Sequence, residues 1–147
     1  FNSKTTFSKS YNKVYVKNWG ARGDRITIGP IKKSQSGRYV FQLSYSNLGH
    51  INTGITAVVK RIELRDYQTN RLIRKGIIQM PQNDQERYWI DSNFFELPLD
   101  KRGQYKIIIS DHFNMSYFSH FENYLDRGGK SGYDNRVHLS EFKLLKL

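Results

Sequence analysis

The feature that most constrains this chain is a two-residue alternation between positions 39 and 45. Four large side chains, Tyr39, Phe41, Leu43 and Tyr45, alternate with smaller or more polar ones. Successive side chains of a β-strand point to opposite faces, so these four would share one face of an extended segment. A helix would scatter them around its axis. The run therefore predicts a strand with one face in a hydrophobic core.

Similar extended segments recur along the chain, and two turn sequences separate some of them. Strands are predicted at 53–66, 72–80, 88–90, 94–97, 105–109 and 137–147, with turns at 66–70 and 100–103. Within 53–66 the alternation of apolar and polar residues changes phase between Val59 and Ile62, which predicts a bulge or bend in the strand.

The last segment is apolar on both faces. It places Phe142 and Leu144 on one side and Leu139, Leu145 and Leu147 on the other. A strand with two apolar faces is usually paired inside a sheet.

This pattern predicts an all-β fold, an antiparallel β-sandwich or jelly roll, with one short helix near residues 117–125. No shift in composition divides the chain, so residues 1–147 are expected to form a single domain. The sequence starts at Phe1 without a methionine, and we expect the domain to be excised from a larger secreted protein.

The charge distribution points to anionic partners. The net charge is +11, but residues 1–75 hold fifteen Lys and Arg against three Asp and Glu, whereas residues 76–147 hold nine against ten. An excess of this size attracts polyanions. Anionic polysaccharide, teichoic acid, nucleic acid and anionic lipid headgroups are candidates, and a solvated basic surface without a dedicated partner is the alternative. No segment is apolar enough for a membrane-spanning helix.

Catalytic motifs are missing from the sequence. There is no His-Glu-x-x-His, no Gly-x-Ser-x-Gly, and Gly128-Gly129-Lys130-Ser131 lacks the spacing of a phosphate-binding loop. Most of the acidic residues fall at predicted turns. We therefore predict that the chain is not an enzyme and has no catalytic residue. A small hydrolase stays open, because paired carboxylates that meet only in space leave no sequence signature.

Metal binding is limited by the absence of cysteine, which excludes disulfides and cysteine-type zinc sites. No cofactor is predicted. A structural calcium is one alternative, because many small β-sandwiches carry one bound by carboxylates and loop carbonyls. Asp24, Asp66, Asp111 and Glu141 are the candidate ligands.

Residue types suited to sugar binding are concentrated in the predicted loops. Aromatic rings stack on pyranose faces, amides and imidazoles bind hydroxyls, and arginine pairs with uronate or sulfate. Trp19, beside Gly20, is predicted to be an exposed ring. The candidate ligand-binding residues are Trp19, Arg22, Arg25, Asn47, His50, Asn52, Trp89, His112 and Asn114.

Three segments carry a family resemblance: "SGRYVFQLSYSNLGHINTGITAVVKRIELRD" (36–66), "RLIRKGIIQMP" (71–81) and "GQYKIIISDHFNMSYFSHFENYLDRGGKSGYDNRVHLSEFKLLKL" (103–147). They resemble accessory β-sandwich domains, galactose-binding-like and similar to carbohydrate-binding modules, of bacterial secreted glycoside hydrolases and other polysaccharide-degrading enzymes. The Gly-x-Tyr strand at Gly37 and Tyr39, the Tyr-x-Asn loop at Tyr45 and Asn47, and the closing strand 135–147 match that pattern. The acidic first strand of the calcium-binding modules is replaced here by residues 5–13, which contain no acid.

The resemblance implies a non-catalytic carbohydrate-binding or accessory module, secreted or at the surface of a bacterium or its phage. Together with the charge, it predicts an anionic polysaccharide as ligand and an adjacent catalytic domain as a partner within the same chain. Two further alternatives stay open: a structural spacer or interaction domain without its own ligand, and a nucleic-acid-binding domain.

Overall fold

The computed structural model describes residues 6–10, 13–20, 23–47, 57–83, 89–114 and 137–147. Within these ranges the secondary structure consists of β-strands. In chain order they are β1 (Thr6–Ser10), β2 (Lys13–Trp19), β3 (Arg25–Ile31), β4 (Gly37–Ser46), β5 (Ala57–Asp66), β6 (Leu72–Pro81), β7 (Ile90–Asp91), β8 (Phe95–Leu99), β9 (Tyr105–Asn114) and β10 (Val137–Lys146).

The strands form two antiparallel sheets. One has the order β1-β2-β10-β4, with β7 and β8 both pairing with β4, and the other has the order β3-β9-β5-β6. Apolar side chains from both sheets form one core, to which β4 contributes Tyr39, Phe41, Leu43 and Tyr45. The predicted all-β, antiparallel sandwich is therefore confirmed, and so is the inward face of the 39–45 strand.

The interrupted alternation of apolar residues in β5 was predicted to mark a bulge or bend, but a buried lysine accounts for most of it. Val58, Ile62 and Leu64 pack in the core at every second position, and the inward position between them is occupied by Lys60, which is 0% exposed. The register between β5 and β9 does shift at Val59/Lys60. The apparent phase change arises mainly because a charged residue occupies a core position.

The closing strand lies inside a sheet, between β2 and β4, as predicted. Its faces differ from the prediction, because the register with β4 shifts between Leu139 and Glu141. This irregularity brings Leu139 into the same core that Leu144 packs against, while Leu145 and Leu147 are exposed.

The turns at 66–70 and 100–103 are both present. Asp66 Oδ1 accepts hydrogen bonds from the Gln68 and Thr69 amides at 3.0 and 2.8 Å, and the Gly103 amide donates to the Asp100 carbonyl at 3.0 Å. The helix predicted near 117–125 falls outside the described residues. No helix long and apolar enough to span a membrane occurs within the described ranges.

Candidate functional site

The outer face of the sheet β3-β9-β5-β6 carries a polar groove of about 600 Å³. Four cationic side chains, one carboxylate, three uncharged polar side chains and one isoleucine line it. They are Arg25, Thr27, Arg61, Glu63, Arg65, Asn70, Lys106, Ile108 and Ser110. Cations therefore dominate the groove.

Strand register brings these side chains together from distant parts of the sequence. β9 lies between β3 and β5, and its Ser110 is paired with Arg25 on one side and with Arg61 on the other. Further along, Lys106 is paired with Arg65. Neighbouring strands lie about 4.8 Å apart, so the Cα atoms of Arg25 and Arg61 are separated by roughly 10 Å. The pairing of β9 with β3 and β5 thus collects cations from three strands in one groove.

A nearly buried carboxylate holds two of the guanidinium groups. Glu63 is 8% exposed; its Oε1 lies 2.6 Å from Nη2 of Arg61 and its Oε2 accepts from Nε of Arg65 at 2.7 Å. The hydrogen bond from Arg65, with a smaller contribution from the charge of Arg61, lowers the pKa of Glu63 from its ordinary value of 4.5, against the opposing effect of burial. Nη1 of Arg65 also donates to the Asn70 carbonyl at 2.8 Å. Arg65 is therefore fixed at two points before any ligand arrives.

This arrangement is chemically suited to anions. A guanidinium group presents a planar set of donors that matches carboxylate, sulfate or phosphate, and it stays charged at every physiological pH. Glu63 balances only one of the four cations in the lining. None of the described residues that line the groove is aromatic, so recognition by them would depend on charge and hydrogen bonding.

Of the predicted ligand-binding residues, Arg25 lines the groove. The predicted exposure of Trp19 is wrong, because its residue is only 3% exposed and belongs to the core. Its ring lies 5.1 Å from the ammonium of Lys60. Trp19 is the last residue of β2.

Asn47 and Trp89 lie away from the groove. Asn47 is 5% exposed, and its side-chain amide donates to the Met80 carbonyl at 2.9 Å, so it ties the end of β4 to the end of β6. Trp89 is half-buried next to β7, in the other sheet, with its ring centroid 5.4 Å from that of Tyr15. Lys13 Nζ lies 5.7 Å from the same ring.

His112 is exposed on β9, at the register shift opposite β5, and Asn114 is the last residue of that strand. Arg22, His50 and Asn52 fall outside the described residues. Among the six candidates in the described ranges, the structure brings Arg25 into the groove, and it places Trp19, Asn47 and Trp89 elsewhere.

Most residues of the groove were not among the predicted ligand-binding residues. Arg61, Glu63 and Arg65 occur at alternating positions of a predicted strand, which is the signal for three charged side chains on one face. On β9, Lys106 lies on the same face as Ile108 and Ser110, because these three residues also occupy alternating positions. Only the pairing of β5 with β9 shows that these two charged faces adjoin.

Each of the four candidate calcium ligands contacts a donor of the protein. Asp24 accepts from the Gly20 amide, Asp66 from its own turn, Asp111 from Lys60, and Glu141 lies 3.5 Å from Lys13. In the part of the chain that the structure describes, no three His, Asp, Glu or Cys side chains are grouped so as to hold a metal ion. These carboxylates do not assemble a calcium site there.

No protein-family model matches the sequence, and no curated protein matches it. Solved structures do match the fold. A family 35 carbohydrate-binding module from Clostridium thermocellum superposes with a TM-score of 0.61 at 9% identity, covering 97% of this chain and 88% of that one.

Larger proteins contain the same fold as one part. The cycloalternan-forming enzyme from Listeria monocytogenes, solved with a pentasaccharide substrate, matches with a TM-score of 0.63 at 9% identity over 97% of this chain. An uncharacterised Listeria monocytogenes protein, solved with glucose, magnesium and calcium, matches with a TM-score of 0.62 at 9% identity, also over 97%. The chain spans only 11% of the length of each. At such low identity, these likenesses establish a shared β-sandwich fold.

Proposed function

We propose that this chain is a non-catalytic carbohydrate-binding module that binds an anionic polysaccharide in the groove on the sheet β3-β9-β5-β6. The observation that carries the proposal is the set of cations held across three strands, with Arg25, Arg61, Arg65 and Lys106 around Glu63. The fold shared with a carbohydrate-binding module supports the choice of glycan as the ligand class.

In the proposed mechanism, the acid groups of the polymer pair with the guanidinium and ammonium groups while Ser110, Thr27 and Asn70 contact hydroxyls. Each exposed pair contributes little, about 0.2 to 1 kcal/mol, so affinity depends on several pairs forming together. An extended polyanion has the repeated charges to do this. A neutral glucan does not.

The proposed setting is a secreted or surface protein of a bacterium, in which the module directs an adjacent catalytic domain to its glycan. The match to a short part of a much longer cycloalternan-forming enzyme supports this setting. Residues 1–147 are proposed to act as one domain of such a protein.

The test compares two variants that remove equal charge. Arg25→Ala with Lys106→Ala removes two groove cations and leaves both partners of Glu63 in place. Arg38→Ala with Arg102→Ala removes two cations outside the groove; Arg38 pairs with Glu96, and Arg102 pairs with Asp100. Binding of polygalacturonate, a sulfated polysaccharide, a neutral glucan and a DNA oligonucleotide is measured by calorimetry at two salt concentrations.

The groove variant is expected to weaken polygalacturonate or sulfated-polymer binding on the order of tenfold, while the matched variant stays close to the original chain. Added salt should weaken binding, because exposed ion pairs are screened. Equal losses in the two variants would overturn the groove as the site. Binding of DNA at equal strength would make the groove an unselective polyanion site and would overturn the carbohydrate assignment.

An interaction domain without its own ligand is the second candidate, and one observation favours it. Leu145 and Leu147, two residues apart at the end of the chain, are 53% and 64% exposed. Such side chains suit packing against another domain. If none of the polymers binds, and Leu145→Ser with Leu147→Ser disrupts association with the neighbouring domain of the full-length protein, the interaction role is established instead.

A further inference from the structure

Lys60 is a charged side chain inside the sandwich. Its side chain is 0% exposed, and its ammonium donates to Oδ1 of Asp111 at 2.9 Å and to the Gly20 carbonyl at 2.6 Å. The ring of Trp19 lies 5.1 Å away. A buried ion pair is costly to desolvate, and an apolar residue at the same position often gives equal or greater stability. The pair is therefore weakly explained by stability alone.

The residues of this buried network are the sequence neighbours of one row of the groove. Lys60 precedes Arg61, Asp111 follows Ser110, and Asp24 precedes Arg25. Arg25, Ser110 and Arg61 are paired side by side across β3, β9 and β5. Adjacent strand residues point to opposite faces. The network therefore lies directly behind the row of side chains that faces the ligand.

Gly20 joins the network to the start of β3. Its carbonyl accepts from Lys60, and its amide donates to Oδ2 of Asp24 at 3.0 Å. Both polar backbone groups of Gly20, which follows β2, are thus hydrogen-bonded to side chains of the network. Gly20 adopts a φ of 110°, which favours glycine at this point.

We propose that the Lys60–Asp111 ion pair, with Gly20 and Asp24, is a positioning device that fixes the spacing of Arg25 and Arg61 for anion binding. It ties β5 to β9 through the ion pair, and it ties both strands to the beginning of β3 through Gly20. None of these four residues lines the groove. A pre-organised row binds more tightly because less order is lost on association. The inference rests on the proposed function of the groove.

The test uses variants for which a purely electrostatic effect and a positioning role predict opposite changes in the affinity for a polyanion. Asp111→Asn and Asp24→Ala each remove one negative charge close to a basic groove, so electrostatics alone would make polyanion binding tighter. Positioning predicts weaker binding, on the order of three- to tenfold for each variant. Leu97→Ala, a buried change on β8 in the other sheet, controls for lost stability. Affinity for polygalacturonate, or for whichever polymer the original chain binds, is measured well below all melting temperatures.

A fluorescence readout reports directly on the network. Trp19 and Trp89 are the two tryptophans of the chain, so a Trp89→Phe background leaves Trp19 as sole reporter beside the ammonium. Weaker binding in both carboxylate variants, a shifted Trp19 emission and unchanged binding in Leu97→Ala support the inference. Unchanged or tighter binding in the carboxylate variants overturns it while the groove proposal stands. Absence of binding by the original chain overturns both. If Asp111→Asn does not fold, Asp24→Ala in its half-exposed turn decides the matter.

Discussion

Nε of Arg65 donates to Oε2 of Glu63 at 2.7 Å, in a groove whose described lining holds this carboxylate and four cations. This bond lowers the pKa of Glu63 in the folded chain below 4.5. A group with a lowered pKa stabilises the fold where it is ionised. Its contribution is complete above its unfolded-state pKa and is lost as the pH falls through its folded-state pKa.

We therefore expect Glu63→Gln to cost about 1 to 3 kcal/mol of unfolding free energy at neutral pH, because two arginines lose a charged acceptor. The difference from the original chain should shrink toward pH 3. Urea unfolding at the two pH values measures it. Glu141→Gln, whose side chain is 52% exposed beside Lys13, serves as a control with little effect. A constant difference at both pH values would contradict the assigned role of Glu63.

Trp89 provides a test of whether stacking contributes to anion binding. It lies next to β7 in the sheet opposite the groove, and its ring contacts Tyr15. We expect Trp89→Phe to leave the affinity for an anionic polysaccharide within about twofold of the original, since no described residue of the groove lining is aromatic. Calorimetry with the same polymer measures it. A loss as large as that of the Arg25 and Lys106 variant would instead make Trp89 a ligand contact, as predicted from the sequence.

Tyr45 should make the fold sensitive to alkaline pH. Its hydroxyl donates to the Pro81 carbonyl at 2.8 Å, and burial raises its pKa to about 12 from 10.0. The unfolded chain ionises this phenol first, so unfolding becomes easier as the pH rises above 10. Tyr45→Phe is expected to cost about 1 kcal/mol of unfolding free energy at neutral pH. The unfolding free energy of this variant should then decline less between pH 10 and 12 than that of the original chain. Tyr67→Phe, at an exposed turn position, is the control. Identical alkaline profiles for Tyr45→Phe and the original chain would contradict the assignment.

Gly76 lies where the two sheets approach each other closely. A Cβ atom at this position would be 2.6 Å from Cε2 and 2.9 Å from Cδ2 of Phe95. Gly76→Ala is therefore expected to destabilise the fold by about 1 to 3 kcal/mol, as overpacked cores do. Thermal and urea unfolding measure the loss. Gln79→Ala, on the exposed side of the same strand, should have little effect. Phe95→Leu should recover part of the loss in a double variant, and a fully tolerated alanine would contradict the close approach.

The sequence alone determined the strand content and the inward face of β4, because a two-residue alternation of large side chains has one simple structural solution. It also carried the net charge and the turn at Asp66. These are local properties, and each can be derived from a few adjacent residues.

Tertiary structure decided which charged faces meet. Arg61, Glu63 and Arg65 form a charged face of β5 by parity, but only their pairing with β9, and the pairing of β9 with β3, brings Arg25 and Lys106 beside them. The pairing of β5 with β9 also gives Lys60 the carboxylate of Asp111. Trp19 is buried in the core that the two sheets form together. A lysine in a core position and a tryptophan beside a glycine look like surface residues in the sequence. Their burial becomes favourable only when partners distant in sequence are brought into contact.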